Sequence, residues 1–345
     1  MDVIVLKIFI LAVAAFALSF VLTPAWSGFL YRYKLGKNIR DAADAPIMAA
    51  LHAKKAGTPT MGGVLVWFPV TLIALAAAGA AALNPAWGWF NFLSRSGTWL
   101  PLFALVASAL VGLLDDYWNV KRIGPKGGGL RMRHRLLLYT AIAAVGAWWF
   151  FAKLDWSIVH LPFGGNIDLH WLFIPFFILV IVATSFSVNE TDGLDGLVGG
   201  LLAVAFAAYG AIAFYGGKYD LATFCAVIVG ALVSFLWFNV NPARFFMGDT
   251  GAMSLGVTLG IVAFLVNQVW LLLIIGFVFV LESLSVIIQQ FSKKFRRKKV
   301  FLSTPLHHHF EAKGWPEQKV VMRFWIIGVI AAVCGLALAL LDKTL

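Results

Sequence analysis

Ten runs of about 20 mainly apolar residues divide this chain, at roughly 3–25, 62–83, 98–118, 136–152, 171–188, 196–216, 220–238, 251–266, 269–290 and 321–341. A run of that length crosses the hydrocarbon core as a helix, because a backbone in lipid must satisfy its own hydrogen bonds. The expected fold class is therefore all-α: a polytopic integral membrane protein with about ten transmembrane helices. Composition agrees. Of 345 residues, 61% are hydrophobic and only 12% charged, about half the charged share of a soluble domain. No repeat or low-complexity stretch breaks the chain, so residues 1–345 read as one membrane domain. The first run carries only Lys7 and no small-residue cleavage site before Pro24, which reads as an uncleaved span. Alternating apolar residues around Pro162-Phe163-Gly164-Gly165-Asn166 predict a small β-hairpin outside the membrane, near 157–169. Cys225 and Cys334 lie inside apolar runs, where packing is a better use for them than a disulfide.

Ten spans make the loops alternate sides, and the basic residues alternate with them. One side carries 22 of the 27 Lys and Arg, and the other, with both termini, carries five. The positive-inside rule puts the first set in the cytoplasm and both termini in the periplasm. It also accounts for the net charge of +11 without invoking nucleic acid. Ten of the 16 acids fall on the same side. Solvated loops explain the lysines but not acids pressed against span ends.

Asp115 and Asp116 are the clearest case. They close the apolar run that begins at Ala104, and a basic segment from Lys121 to Arg135 follows at once. Charges beside a span are functional candidates by default. Acids are also disfavoured at a helix C-terminus unless a cation answers them. Four more segments belong to the same face. His52 to Gly63 sets lysines before a Gly/Pro turn, a combination suited to phosphate, although lysines at a membrane edge often only snorkel. Asn189 to Gly196 packs three acids and an asparagine between two spans, in a spacing that is not that of a calcium EF-hand. Asn239 to Gly251 has Asp249 between Gly248 and Thr250, after two aromatics, Phe245 and Phe246, that could anchor at the interface or stack on a base. The last segment has six basic residues between Lys293 and Lys299, then His307-His308-His309. Three adjacent histidines cannot share one helix face, so hydrogen bonding to phosphate suits them better than zinc.

Acids, basic side chains, histidines and Gly-rich turns at one face are the parts of magnesium-assisted phosphoryl transfer. An ion-coupled transporter would need ionisable groups near the bilayer midplane, and only Glu282 lies clearly within a span.

These segments, in order over nearly the whole chain, resemble the phospho-N-acetylmuramoyl-pentapeptide transferases, bacterial enzymes that make lipid I in peptidoglycan synthesis. The quoted residues are His52-x-Lys-Lys-x-Gly-Thr-Pro-Thr-Met-Gly-Gly63, Asp115-Asp116-Tyr117, Asn189-x-Thr-Asp-Gly-Leu-Asp-Gly196, Phe246-Met-Gly-Asp-Thr-Gly251 and His307-His-His-Phe-Glu311. The resemblance implies an inner-membrane homodimer with ten spans and its active site on the cytoplasmic face. It implies attack of undecaprenyl phosphate on UDP-N-acetylmuramoyl-pentapeptide, with Mg²⁺ as cofactor and UMP as leaving group. It assigns Asp249 to the metal, with Asp115 and Asp116 as the essential acid pair and further metal candidates. Lys55, Thr60, Asn189, Asp192, Gly193, Leu194, Asp195 and Phe246 match positions around the nucleotide, Phe246 against uracil. Asn239, Gln289, His307, His308 and His309 match other active-site positions. The family's lysine in the segment after the acid pair is not assigned here. Lys126 and Gly127 are present, but beyond them stand Arg131, Arg133 and Arg135, and arginine is no neutral exchange for lysine at a phosphate. A transferase using UDP-N-acetylglucosamine is the nearest alternative.

Overall fold

The computed structural model describes residues 1–36, 55, 57–94, 97–124 and 128–342. His52, Lys54, Lys126 and Gly127 lie outside the described residues. In chain order the elements begin with α1 (Asp2–Arg32), α2 (Val64–Leu83) and α3 (Trp99–Val120), then α4 (Met132–Trp148), which continues as a wide turn over Trp149–Lys153. A hairpin of β1 (Ile158–Leu161) and β2 (Gly165–Asp168) leads to α5 (Phe173–Thr191), α6 (Leu197–Tyr215), α7 (Tyr219–Asn239) and α8 (Asp249–Leu265). The chain ends with α9 (Leu272–Ile275), α10 (Phe277–Arg296), α11 (Leu306–Ala312) and α12 (Glu317–Leu341). All ten apolar runs are helical. Eight of the described helices are long and apolar enough to cross a membrane, so this is a multi-pass membrane protein.

The other two runs depart from plain spans. Helix α8 has 17 residues and is apolar on every side, which is the mark of a helix surrounded by protein. Each residue from Thr250 to Leu265 is buried, chiefly against α3 and α5. Its length of about 25 Å falls short of a bilayer core of about 30 Å, a mismatch its neighbours conceal from lipid. The run 269–290, expected as one span, breaks instead at Gly276 and turns by 82° into α10. The apolar run encodes burial but not direction, and glycine is a poor helix former at the break. Beyond it α10 is two-sided: Glu282, Ser285, Gln289 and Ser292 face inward, while Ile287, Ile288, Phe291 and Phe295 are exposed.

The expected hairpin is present, antiparallel, with Val159 opposite Ile167 and His160 opposite Asn166. His160 is buried, its Nε2 2.6 Å from Asp342 Oδ2 at the end of α12, and its N–H donates to Asn267 Oδ1. The hairpin is thereby tied to two other parts of the bundle. At the opposite end, the C-termini of α3, α5 and α7 meet the N-termini of α8 and α12, and the polar motifs gather there.

Candidate active site

Asp115 and Asp116 sit in the last turns of α3, where the helix dipole opposes them. Two separate partners answer that cost. Asp115 Oδ1 accepts from the N–H of Leu130 at 2.5 Å, and its Oδ2 lies 2.7 Å from Arg135 Nε. The same guanidinium extends Nη2 to Asp249 Oδ2 at 2.8 Å. Arg135 thus bridges the two acids, using the rigid fork that lysine lacks. Asp116 accepts instead from the N–H groups of Asp249 and Thr250, at 3.1 and 3.0 Å. It serves as the N-terminal cap of α8, supplied from another helix, where a carboxylate meets the positive end of the dipole.

The turn before α8 depends on Gly248, whose φ of +75° is one that L side chains rarely adopt. A Cβ there would stand 2.5 Å from both Asp116 Oδ2 and Thr60 Oγ1. Asp192 Oδ2 accepts from the Gly248 N–H, and Asn189 Nδ2 donates to Asp249 Oδ1 at 2.6 Å. Asp249 is consequently held on both oxygens, by Arg135 and Asn189. The same turn is zipped to the first Gly-rich segment: the Phe246 N–H donates to Pro59 O, Gly62 to Phe246 O and Gly63 to Met247 O. Two motifs far apart in sequence become one piece of structure. Of the two aromatics, Phe245 is fully buried against Phe235 and Phe238, while Phe246 faces the site.

All of this surrounds a cavity of about 630 Å³. Lys55, Phe246, Leu194 and Asn239 line it together with Asp116, Arg135, Asn189 and Asp249. Gln289, Lys293, Thr304 and His308 also form its wall, and so do Asp192 and Gly193. Five candidates stand behind that wall. Asp115 backs Arg135, and Thr60 donates to Asp116 Oδ1 at 3.3 Å. Asp195 lies under Lys55, at 2.6 Å from its ammonium. His307 and His309 are the others.

The three histidines go three ways. His308 reaches the cavity and pairs through Nδ1 with Glu311 Oε2 at 2.7 Å. His307 is fully buried, and its N–H and Nδ1 lie against the Glu282 carboxylate, at 3.3 and 3.1 Å. Burial alone would lower this imidazole, but the Glu282 carboxylate outweighs it, helped by Glu311 and Glu190, and holds the pKa above its ordinary value. Its Nε2 aims at Gly193, where a Cβ would come within 2.2 Å. Glycine at 193 is thus required by the imidazole behind it. His309 accepts from the Leu302 N–H, and partial burial and Lys313 keep it below its ordinary pKa. Glu282, the isolated acid of a span, is therefore the anchor of α11.

Two other candidates are occupied by backbone. Asn239 accepts from the Gly196 N–H and donates to Phe245 O. Gln289 accepts from the N–H groups of Val300 and Phe301 and donates to Phe301 O. Each lines the cavity while fastening a loop. Sequence reasoning missed Arg135 as the bridging cation, and missed Asn241 and Glu317 around Asp195.

Comparisons with known proteins give the family. A profile for glycosyl transferase family 4 matches residues 98–267. Signature 1 of the phospho-N-acetylmuramoyl-pentapeptide-transferases matches residues 55–65, the segment zipped to Phe246. The phospho-N-acetylmuramoyl-pentapeptide-transferase of Listeria welshimeri is 40% identical over 341 residues, covering 95% of this chain and 98% of the relative. The chain belongs to the phospho-N-acetylmuramoyl-pentapeptide-transferase family. Its likeness is not confined to one lineage. Proteins of the same name from Listeria innocua and Chloroflexus aggregans are 41% and 39% identical, over 95% and 96% of this chain and 98% and 89% of their own lengths. Within the family, this phosphotransferase has Arg135 between its two facing acids.

Proposed function

We propose that this protein transfers phospho-N-acetylmuramoyl-pentapeptide from UDP-N-acetylmuramoyl-pentapeptide to undecaprenyl phosphate, giving lipid I and UMP. The supporting observation is one cavity whose wall joins an aromatic ring and a lysine, Phe246 and Lys55, to the pair Asp249 and Arg135. An oxygen of the lipid phosphate attacks the phosphorus that bears the sugar. The new P–O bond forms as the bond to UMP breaks, and UMP keeps the electron pair.

Mg²⁺ fits the donor set by its chemistry. Among the described residues no three His, Cys, Asp or Glu are gathered as a metal cage. Magnesium does not require one, since it takes one or two carboxylates plus substrate phosphate oxygens and water. Asp249 would hold it, with Asp116 a second carboxylate on the same wall. Bound there, it would neutralise pyrophosphate charge and polarise the phosphoryl oxygen. The protein's own work is positional. Asn189 and Arg135 orient Asp249, Asp116 fixes the start of α8 beneath it, and His308 and Lys293 offer donors to anionic parts of the substrates. The lipid phosphate is already ionised near neutral pH, so direct displacement needs no strong base.

The donor decides the assignment. Purified protein with Mg²⁺ and undecaprenyl phosphate is expected to release UMP from UDP-N-acetylmuramoyl-pentapeptide, with UDP-N-acetylglucosamine a far poorer donor. Comparable rates with both would move the assignment to the alternative transferase. Stacking on Phe246 is worth about 1–3 kcal/mol, so Phe246→Ala should raise the Kd for UMP at least about fivefold. Unchanged affinity in a titration would remove the ring from the nucleoside site.

The site is proposed to face the cytoplasm, with both termini periplasmic, because the basic loops lie at the site's end of the bundle. In a variant lacking Cys225 and Cys334, Phe163→Cys should react with an impermeant thiol reagent on intact cells and Lys298→Cys should not. Labelling at 298 alone would reverse the orientation.

A further inference from the structure

Lys55 is paired twice. Its Nζ lies 2.6 Å from Asp195 Oδ1 and 2.5 Å from Glu317 Oε1. One carboxylate neutralises an ammonium, so the second leaves the cluster with an extra negative charge, and all three side chains are largely shielded from solvent. Such an acid is costly unless its remaining lone pairs are satisfied. Here they are. Asn241 Nδ2 donates to Asp195 Oδ2 at 2.9 Å and to Glu317 Oε2 at 3.1 Å. The Asp195 N–H donates to Glu317 Oε1 at 2.8 Å, and the Ala243 N–H to Asp195 Oδ2. Gln318 Nε2 in turn donates to Asn241 Oδ1 at 2.6 Å.

The cluster joins four segments: Lys55 beside the turn at 57–60, the loop after α5, the loop after α7 and the first turn of α12. A favourable acid at the start of α12 would need none of this, since the dipole rewards it in water. The arrangement instead acts on Lys55. A lysine carries its charge on a flexible four-carbon stem, and a single acid would leave it free to swing. Two acids, themselves crossed by Asn241, take two of its three N–H donors. Among the described residues the third meets no acceptor, and Lys55 lines the cavity with Nζ 5.8 Å from the centroid of the Phe246 ring.

We infer that Glu317 is a positioning residue for the nucleoside end of the site, fixing Lys55 so that one N–H meets a ring carbonyl of a base stacked on Phe246. This rests on the uridine-nucleotide donor proposed above. The base is remote from the transferred phosphorus, so the contact is the same in ground and transition states. Its loss then appears in KM and not in kcat. A purely structural Glu317 would lower the unfolding temperature and the active fraction and leave KM alone.

The test uses the full-length protein, UMP release under steady state and calorimetric UMP binding. Glu317→Gln and Lys55→Met are each expected to raise the donor KM and the UMP Kd about tenfold, the value of one charge-assisted hydrogen bond. The kcat should change far less. The double variant should be no worse than Lys55→Met alone, because both act through one contact. An unmoved KM in Glu317→Gln, a loss confined to kcat, or multiplying effects in the double variant would overturn the assignment. If Glu317→Gln does not fold, Asn241→Ala removes the donor that crosses the two acids and carries the same expected rise in KM. No UMP release by the unaltered protein overturns the reading on which this rests. Normal release with an unmoved KM overturns only the part given to Glu317.

Discussion

Asp249→Asn is expected to lower kcat by at least about a thousandfold, or about 4 kcal/mol, while the bundle stays folded. The two halves of that expectation have separate causes. Asp249 is the carboxylate of the cavity on which Arg135 and Asn189 converge, and a neutral amide is a poor magnesium ligand and a poor partner for a guanidinium. Stability depends on it far less. An acid in a first helical turn contributes about 0.3–1 kcal/mol, and α8 keeps its cap from Asp116 and its apolar burial on all sides. UMP release at saturating donor and Mg²⁺, beside a thermal unfolding scan, separates the two. Turnover within tenfold of the unaltered protein would take Asp249 out of the reaction.

The second large effect belongs to Arg135. Arg135→Gln should destabilise the protein by about 3–5 kcal/mol, as breaking one side of a buried pair does, and should also abolish turnover. Asp115 is 3% exposed and would be left facing Asp249 with no cation between them. Adding Asp115→Asn to that variant removes the stranded charge. It should recover much of the unfolding midpoint and none of the activity, since Asp249 still lacks its clamp. Such a split would show that the stability cost comes from the stranded Asp115 charge and the loss of turnover from the missing clamp on Asp249. An Arg135→Gln protein that melts like the unaltered one would deny the bridge its structural weight.

Much of the architecture was legible because lipid restricts what a chain can do. Every apolar run became a helix, and the hairpin fell where Pro162 and Gly164 interrupt alternation. The bend at Gly276 was not legible, since hydropathy carries no direction. Within the site, the motif residues Lys55, Asn189, Phe246 and Asp249 do reach one cavity. Arg135 escaped because Arg131, Arg133 and Arg135 recur at every second position, and residues two apart in a helix point nearly opposite ways. Nothing local tells which of them meets Asp115. Glu317 and Asn241 escaped for a related reason: Glu317 meets Lys55 across 262 residues of chain, and no pattern in either segment announces the other. The histidine run was legible in its essential point, that neighbours on a helix cannot share a face.

The wiring of Asp116 has a consequence for how the protein is made. Its carboxylate is answered by the N–H of Thr250, 134 residues further along the chain. A ribosome adding about 5–20 residues per second delivers that partner roughly 7–27 s after Asp116 has emerged. For that interval α3 carries a carboxylate with no helix start to rest on, and Arg135 arrives long before Asp249 does. A half-made chain is therefore electrically unfinished at the very end where its chemistry will be. The order of synthesis leaves α8 to enter after α3 and α5, the helices that chiefly enclose it, like a keystone dropped into an arch already standing.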